Sequence, residues 1–172
     1  RHPRSNARCR LDWAVPNDKM PDAQRLMERA VNDGTKIFII QSADEWSEFI
    51  AVNSKAVFKD KFFVGTNWLG GVMFNKPHDI FKELPVGNAL NWPYQALIHT
   101  GVERMGLVME GEELLVGAYH TYPMAIGTAM GIVPMGKGSV LFSTLDIYGN
   151  IINDSAAGLV AKKLIFNMID FK

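Results

Sequence analysis

Residues 131–147 read GIVPMGKGSVLFSTLDI, and no other stretch restricts the fold as strongly. Gly136 and Gly138 flank Lys137, and glycine supplies the positive backbone torsions that a tight turn needs. Val140, Leu141 and Phe142 follow at once. Such a β-branched and aromatic run suits a strand buried on both faces. The stretch predicts a hairpin with Gly138 at positive φ and with its second arm in the core. Any fold for this chain has to build a sheet around that arm.

The sequence can enclose such an arm. Its 172 residues are 48% apolar and 21% charged, enough for one sizeable core in one domain. Lys plus Arg equals Asp plus Glu at 18 each. No net field then attracts a phosphate backbone or an anionic bilayer, and nucleic acid and membrane are not expected partners. No apolar run reaches the ~18 residues of a membrane span, and the basic start RHPRSNARCR lacks the apolar core of a signal peptide. The absence of an initiator Met points to a piece of a longer protein, with residues 1–10 as an extension and 11–172 as the domain. Cys9 is the single cysteine, so neither an internal disulfide nor a cysteine zinc site is expected. The compartment stays open.

Along the chain, residues 11–15 (LDWAV) are a short apolar strand closed by Pro16 and Asn17. Pro21 suits a first helical turn, and Ala23, Leu26, Met27, Ala30 and Val31 recur at helical spacing, predicting a helix over 21–32 that ends at Gly34. KIFII at 36–40 reads as a buried strand. Ser42 and Glu45 have the spacing of a capping box before Trp46, Phe49 and Ile50 on one helical face. Strand, helix, strand, helix argues for a parallel sheet with right-handed crossovers. Further on, 62–65 reads as a strand, TNWLGGVMFNKP as a surface loop, and 78–84 as a short helix. Residues 106–109 and 114–119 flank a Glu-Gly-Glu-Glu turn and predict a hairpin, and 154–171 is an amphipathic terminal helix capped by Asn153 or Asp154.

The order of these motifs resembles a known family. LDWAVPNDKMPDAQRLMERAVNDGTKIFII, LNWPYQ at 90–95, LLVGAYHTYP at 114–123 and GIVPMGKGSVLFSTLDI together look like the C-terminal glutamine-amidotransferase-like domain of some bacterial glycoside hydrolase family 2 proteins, the β-galactosidase relatives. The resemblance covers about residues 11–171. It implies an α/β, flavodoxin-like three-layer sandwich with a mainly parallel sheet, here lacking its first βα unit. In active amidotransferases a histidine often follows the closing strand, and Asp146 stands in that place. The resemblance therefore implies a non-catalytic accessory or oligomerisation domain, with the remaining domains of a parent glycoside hydrolase and further copies of itself as partners.

Two other functions are carried by particular residues. A diverged hydrolase or amidotransferase would use Ser42, after the predicted strand 36–40, and His120, in AYHTYP. No Gly-x-Ser-x-Gly or Gly-x-Cys-x-Gly elbow surrounds Ser42, so a helix cap explains it. A structural role beside a turn explains His120. A carbohydrate-binding module would use Trp68, Trp92 and Tyr94, since sugar C–H faces stack on aromatic rings, although such rings also pack in cores. Glu110, Glu112 and Glu113 read as a solvated turn rather than as glycosidase carboxylates. The four histidines show no i, i+4 pair, so neither metal nor cofactor is expected.

Overall fold

The computed structural model describes residues 21–64, 71–90, 92–99, 105–122 and 124–171. The order is α1 (Pro21–Asp33), β1 (Lys36–Ile39), α2 (Ala43–Val52), β2 (Val57–Phe63), β3 (Gly71–Asn75), α3 (Gln95–His99), β4 (Met105–Glu110), β5 (Glu113–Thr121), β6 (Met124–Met135), β7 (Gly138–Ser143), α4 (Ile147–Ile151) and α5 (Ala156–Asp170). The predicted strand at 11–15 lies outside the described residues, as do Cys9 and Trp68.

The Gly-Lys-Gly hairpin forms as expected: β6 and β7 pair antiparallel from Met130↔Ser143 to Met135↔Gly138. Its chemistry is different at one position. Gly136 takes the positive torsion, φ 59°, whereas Gly138 is needed for close approach. A Cβ on Gly138 would sit 2.8 Å from the Ala30 carbonyl oxygen and closer still to that of Thr35. The hairpin turn is thus pressed against the turn joining α1 to β1, where the Lys137 N–H donates to the Val31 carbonyl at 3.0 Å.

The expected flavodoxin-like, mainly parallel sandwich is not what the chain builds. The seven strands form one mixed sheet in the order β1-β7-β6-β4-β2, with β5 on β6 and β3 on β5, and its antiparallel strands curl into a half-barrel. Among the described residues only β1 and β7 pair parallel, Lys36↔Ser139 to Ile39↔Phe142. Of the strand-helix-strand-helix alternation expected for the first third, the described residues hold the helix, strand and helix α1, β1 and α2, but α2 leads to β2, at the opposite end of the strand path from β1. The alternation therefore does not produce neighbouring parallel strands.

Two further expectations change. The segment read as a surface loop contains β3, paired with β5 from Gly71↔His120 to Asn75↔Val116. The predicted hairpin of β4 and β5 has its turn, but the two strands pair elsewhere: β4 with β2 and β6, β5 with β3 and β6.

Alternation along β7 sends Val140 and Phe142 into one apolar cluster and Leu141 into another. The first holds Ala23, Met27 and Ala30 of α1 and Trp46 and Ile50 of α2. The second holds Leu97 and Ile98 of α3, Val160, Leu164 and Met168 of α5, and Tyr94. On the second side Asn167 of α5 donates to the Ile80 and Lys82 carbonyls, both at 2.9 Å, fastening the helix to the 79–81 turn. Aromatic rings cover glycines directly across the ladder: Phe62 over Gly106 and Phe74 over Gly117. Each ring occupies the space a Cβ would need and replaces the missing side-chain contact.

Candidate functional site

Ser42 follows β1 as the N-cap of α2, with φ 52° and no side-chain capping bond. Its backbone carbonyl caps instead, accepting from Glu45 N at 3.0 Å and Trp46 N at 3.2 Å. The Ser42–Glu45 capping box is therefore replaced by a left-handed backbone cap. His120 lies on β5 between Gly71 and Ala125. The path from β1 through β7 and β6 to β5 separates the two residues by three strand steps. That is on the order of 14 Å along the sheet at about 4.8 Å per step. The structure does not bring these two together.

The aromatic candidates part company too. Trp68 is outside the described residues, and for Trp92 only the backbone is described, in a 3-10 turn spanning Trp92–Tyr94. Tyr94 is 2% exposed and presents no ring face to a ligand. Its hydroxyl donates to the Pro85 carbonyl at 2.7 Å and contacts Asn75 Nδ2 at 3.3 Å. Burial pushes its phenol up to about 12, against the smaller opposing effect of the Asn75 hydrogen bond.

The remaining polar residues have structural partners. Glu110 pairs with Lys59, Glu112 accepts from Thr128 Oγ1 at 2.6 Å, and Glu113 meets Lys76 at 3.3 Å and His78 at 3.8 Å. Three carboxylates with three different sets of partners are not a hydrolytic pair. Asp146, in the place of the expected histidine, caps α4 by accepting from Gly149 N at 2.9 Å. His78 Nδ1 accepts from Ile80 N at 3.2 Å, so the histidine and not Asp79 caps the 79–81 turn. Lys36 Nζ donates to the Phe171 carbonyl at 2.8 Å and lies 4.3 Å from the centre of its ring. Partial burial holds this ammonium below the ordinary lysine range. Among the described residues no group of three His, Cys, Asp or Glu is placed to hold a metal, and no helix is long and apolar enough to cross a membrane.

What the fold does assemble is a surface. In β3, β5 and β6 the register aligns Val72↔Tyr119↔Ile126 and Phe74↔Gly117↔Thr128, with Thr121↔Met124 next. Period-2 alternation places these residues on one face of the sheet, and Gly71, Met73, Ala118 and Gly127 on the other. The second face is the packed one: Met73 and Ala118 belong to the α5-side cluster. The first remains open, with Phe74 41%, Ile126 65% and Met124 78% exposed, and Tyr122 at 88% at the end of the β5–β6 hairpin. Sequence reasoning did not single out these residues. The available signal was MAIGT at 124–128, which alternates large and small side chains.

The class of protein so defined is a mixed-sheet α/β half-barrel with an apolar sheet face that the described residues leave open. No family model matches the chain, and no curated protein matches it. Among solved structures, a cold-adapted β-galactosidase from Rahnella sp. R3 is similar over 86% of this chain, with 10% sequence identity and a TM-score of 0.46. The chain spans 20% of that protein's length. A likeness at this level defines neither a fold family nor an activity.

Proposed function

We propose that this chain is a non-catalytic oligomerisation domain of a carbohydrate-active enzyme, associating through the apolar face of β3, β5 and β6. The observation that carries the proposal is the contiguous row of exposed Phe74, Ile126 and Met124 with half-buried Val72 and Tyr119 between them, on a sheet whose other face is packed. Monomeric proteins seldom leave such a row uncovered. A second copy suits it, because Phe74, Val72, Tyr119, Ile126 and Met124 carry no charge, the Glu112 carboxylate at the margin is held by Thr128 Oγ1, and the whole chain has a formal net charge of zero, so no net repulsion opposes association. The separation of Ser42 from His120 supports the non-catalytic part. The motif resemblance of residues 90–95, 114–123 and 131–147 supports the link to glycoside hydrolases.

Light scattering across a range of concentrations tests association. The wild-type chain is expected above monomer mass, and Met124→Lys/Ile126→Lys to be monomeric with unchanged circular dichroism. A strictly monomeric wild type at high concentration refutes the reading. Assays on glutaminase, esterase and glycosidase substrates test the rest: turnover that disappears in both Ser42→Ala and His120→Ala would overturn the non-catalytic assignment.

A further inference from the structure

The apolar face of β3, β5 and β6 carries a thioether. The sequence holds nine methionines. Met20 lies outside the described residues, and seven of the other eight are at most 9% exposed. Met124 is 78% exposed. It opens β6 opposite Thr121, and Ile126, next on the same face, is 65% exposed. A thioether sulfur is oxidised only when the oxidant reaches it from water, so the fold offers Met124 to a dissolved oxidant and withholds its buried counterparts.

We infer that Met124 is a modification site: a hydroperoxide oxidises it to the sulfoxide, and the sulfoxide releases copies of this chain from one another. The inference rests on the association reading above and adds the regulation of that face. In the step, a lone pair of the Met124 sulfur attacks one oxygen of the peroxide, and the O–O bond breaks as the S–O bond forms. With hydrogen peroxide the second oxygen leaves as hydroxide and takes the proton shed by the first, giving water. Sulfur loses two electrons and the peroxide gains them. No side chain has to act as an acid or a base.

The consequence for association follows from what the new oxygen needs. As a thioether, Met124 suits an apolar contact, because its unbranched, flexible side chain fills an uneven surface. The sulfoxide oxygen is a polar acceptor that water solvates in the free chain, and pressing it against a second copy beside Ile126 forfeits that solvation. Association is expected to weaken about 10-fold per sulfoxide, and about 100-fold where two copies meet through the same face and both are oxidised. The sulfur is reached in the dissociated copy, so oxidation acts on free chains and keeps them free. Because the side chain stands exposed on the first residue of β6, the sheet's own packing is untouched.

Hydrogen peroxide applied to the full chain at low protein concentration tests this, with peptide fragmentation mass spectrometry to place each sulfoxide and light scattering on the reconcentrated protein to give its mass. Met124 is expected to oxidise at least about 10-fold faster than the seven buried methionines, with unchanged circular dichroism. The oligomer is expected to be lost and to return on treatment with a methionine sulfoxide reductase, while Met124→Leu, which keeps volume and apolarity, stays associated through the same dose. Met124 reacting no faster than the buried seven overturns the inference. So does a Met124→Leu protein that dissociates alongside the wild type, or a loss of mass that the reductase does not reverse. An oligomer that persists with Met124 fully oxidised overturns it while leaving the association reading standing. A wild type that is monomeric before treatment refutes the association reading, and this inference with it.

Discussion

Replacing Gly138 by alanine asks the fold for space it does not have. The new Cβ would stand 2.8 Å from Ala30 O, 2.9 Å from Gly34 C and nearer still to Thr35 O, where ordinary contacts begin at about 3.4 Å. All three are backbone atoms, one in the C-terminal part of α1 and two in its connection to β1, so no rotamer change relieves the clash. The connection has to withdraw by about an ångström, pulling at the parallel β1–β7 ladder that starts at Lys36↔Ser139. Overpacking of a rigid site costs about 1–3 kcal/mol, and the backbone nature of the obstacle places this case at the upper end. For a domain of this size ~1 kcal/mol moves Tm by about 2–4 °C, so the loss should be roughly 6–12 °C. Thermal circular dichroism of Gly138→Ala against the exposed Lys137→Glu measures it. Gly138→Asn adds a discriminating arm: asparagine tolerates positive φ, so it would rescue a torsional requirement but not a steric one, and should melt no higher than the alanine variant. A Gly138→Ala protein melting within about 2 °C of wild type would show that the turn does not press on α1.

Tyr94 gives a pH prediction. Its folded-state value of about 12 lies above the ordinary value near 10. The stability it contributes is therefore fully present below pH 10 and is lost as pH rises through about 12. Denaturant midpoints should fall across that window in the wild type, and Tyr94→Phe should remove this part of the slope while costing only about 1 kcal/mol at neutral pH, because the Pro85 carbonyl keeps Asn75 Nδ2 as a donor at 2.9 Å. Ser42→Gly should be near neutral in chemical denaturation, because no side-chain cap is lost and the residue already sits at φ 52°. A loss of ~1 kcal/mol or more would mean that the hydroxyl caps the helix in solution.

The elements legible in the sequence are those decided by neighbours in the chain. α1 shows through the spacing of Ala23, Met27 and Ala30, all buried, and the β6–β7 hairpin through Gly136. α5 was legible too, though its cap is Ser155, which accepts from Gly158 N at 3.3 Å. Strand partners are a different matter, because a period of two says that a strand has faces and not which strand lies beside it. β4 and β5 flank a short turn yet pair with other strands, and β1 followed by α2 leads to β2 at the far end of the sheet. Both errors came from extending a local rule to a non-local choice.

The candidate face escaped the sequence for a related reason. In a segment buried on one side, large side chains ordinarily mark the core and small ones the solvent. β3, β5 and β6 invert this: the packed face includes Gly71 and Ala118, both buried, and the exposed face carries Phe74, Tyr119, Met124 and Ile126. Small residues on the inner side let neighbouring elements approach closely, and Phe74 lies across Gly117 on the outer side in place of a side chain there. Size alone therefore assigns these large residues to the core. They become a candidate interface only once α1 and α2 are seen to cover the other end of the sheet, packing on β7, β4 and β2, with neither helix reaching β3 or β5 in the main contacts. The curled sheet thus obtains its own packing from small residues at this end and leaves Phe74, Met124 and Ile126 exposed on the face at which association is proposed.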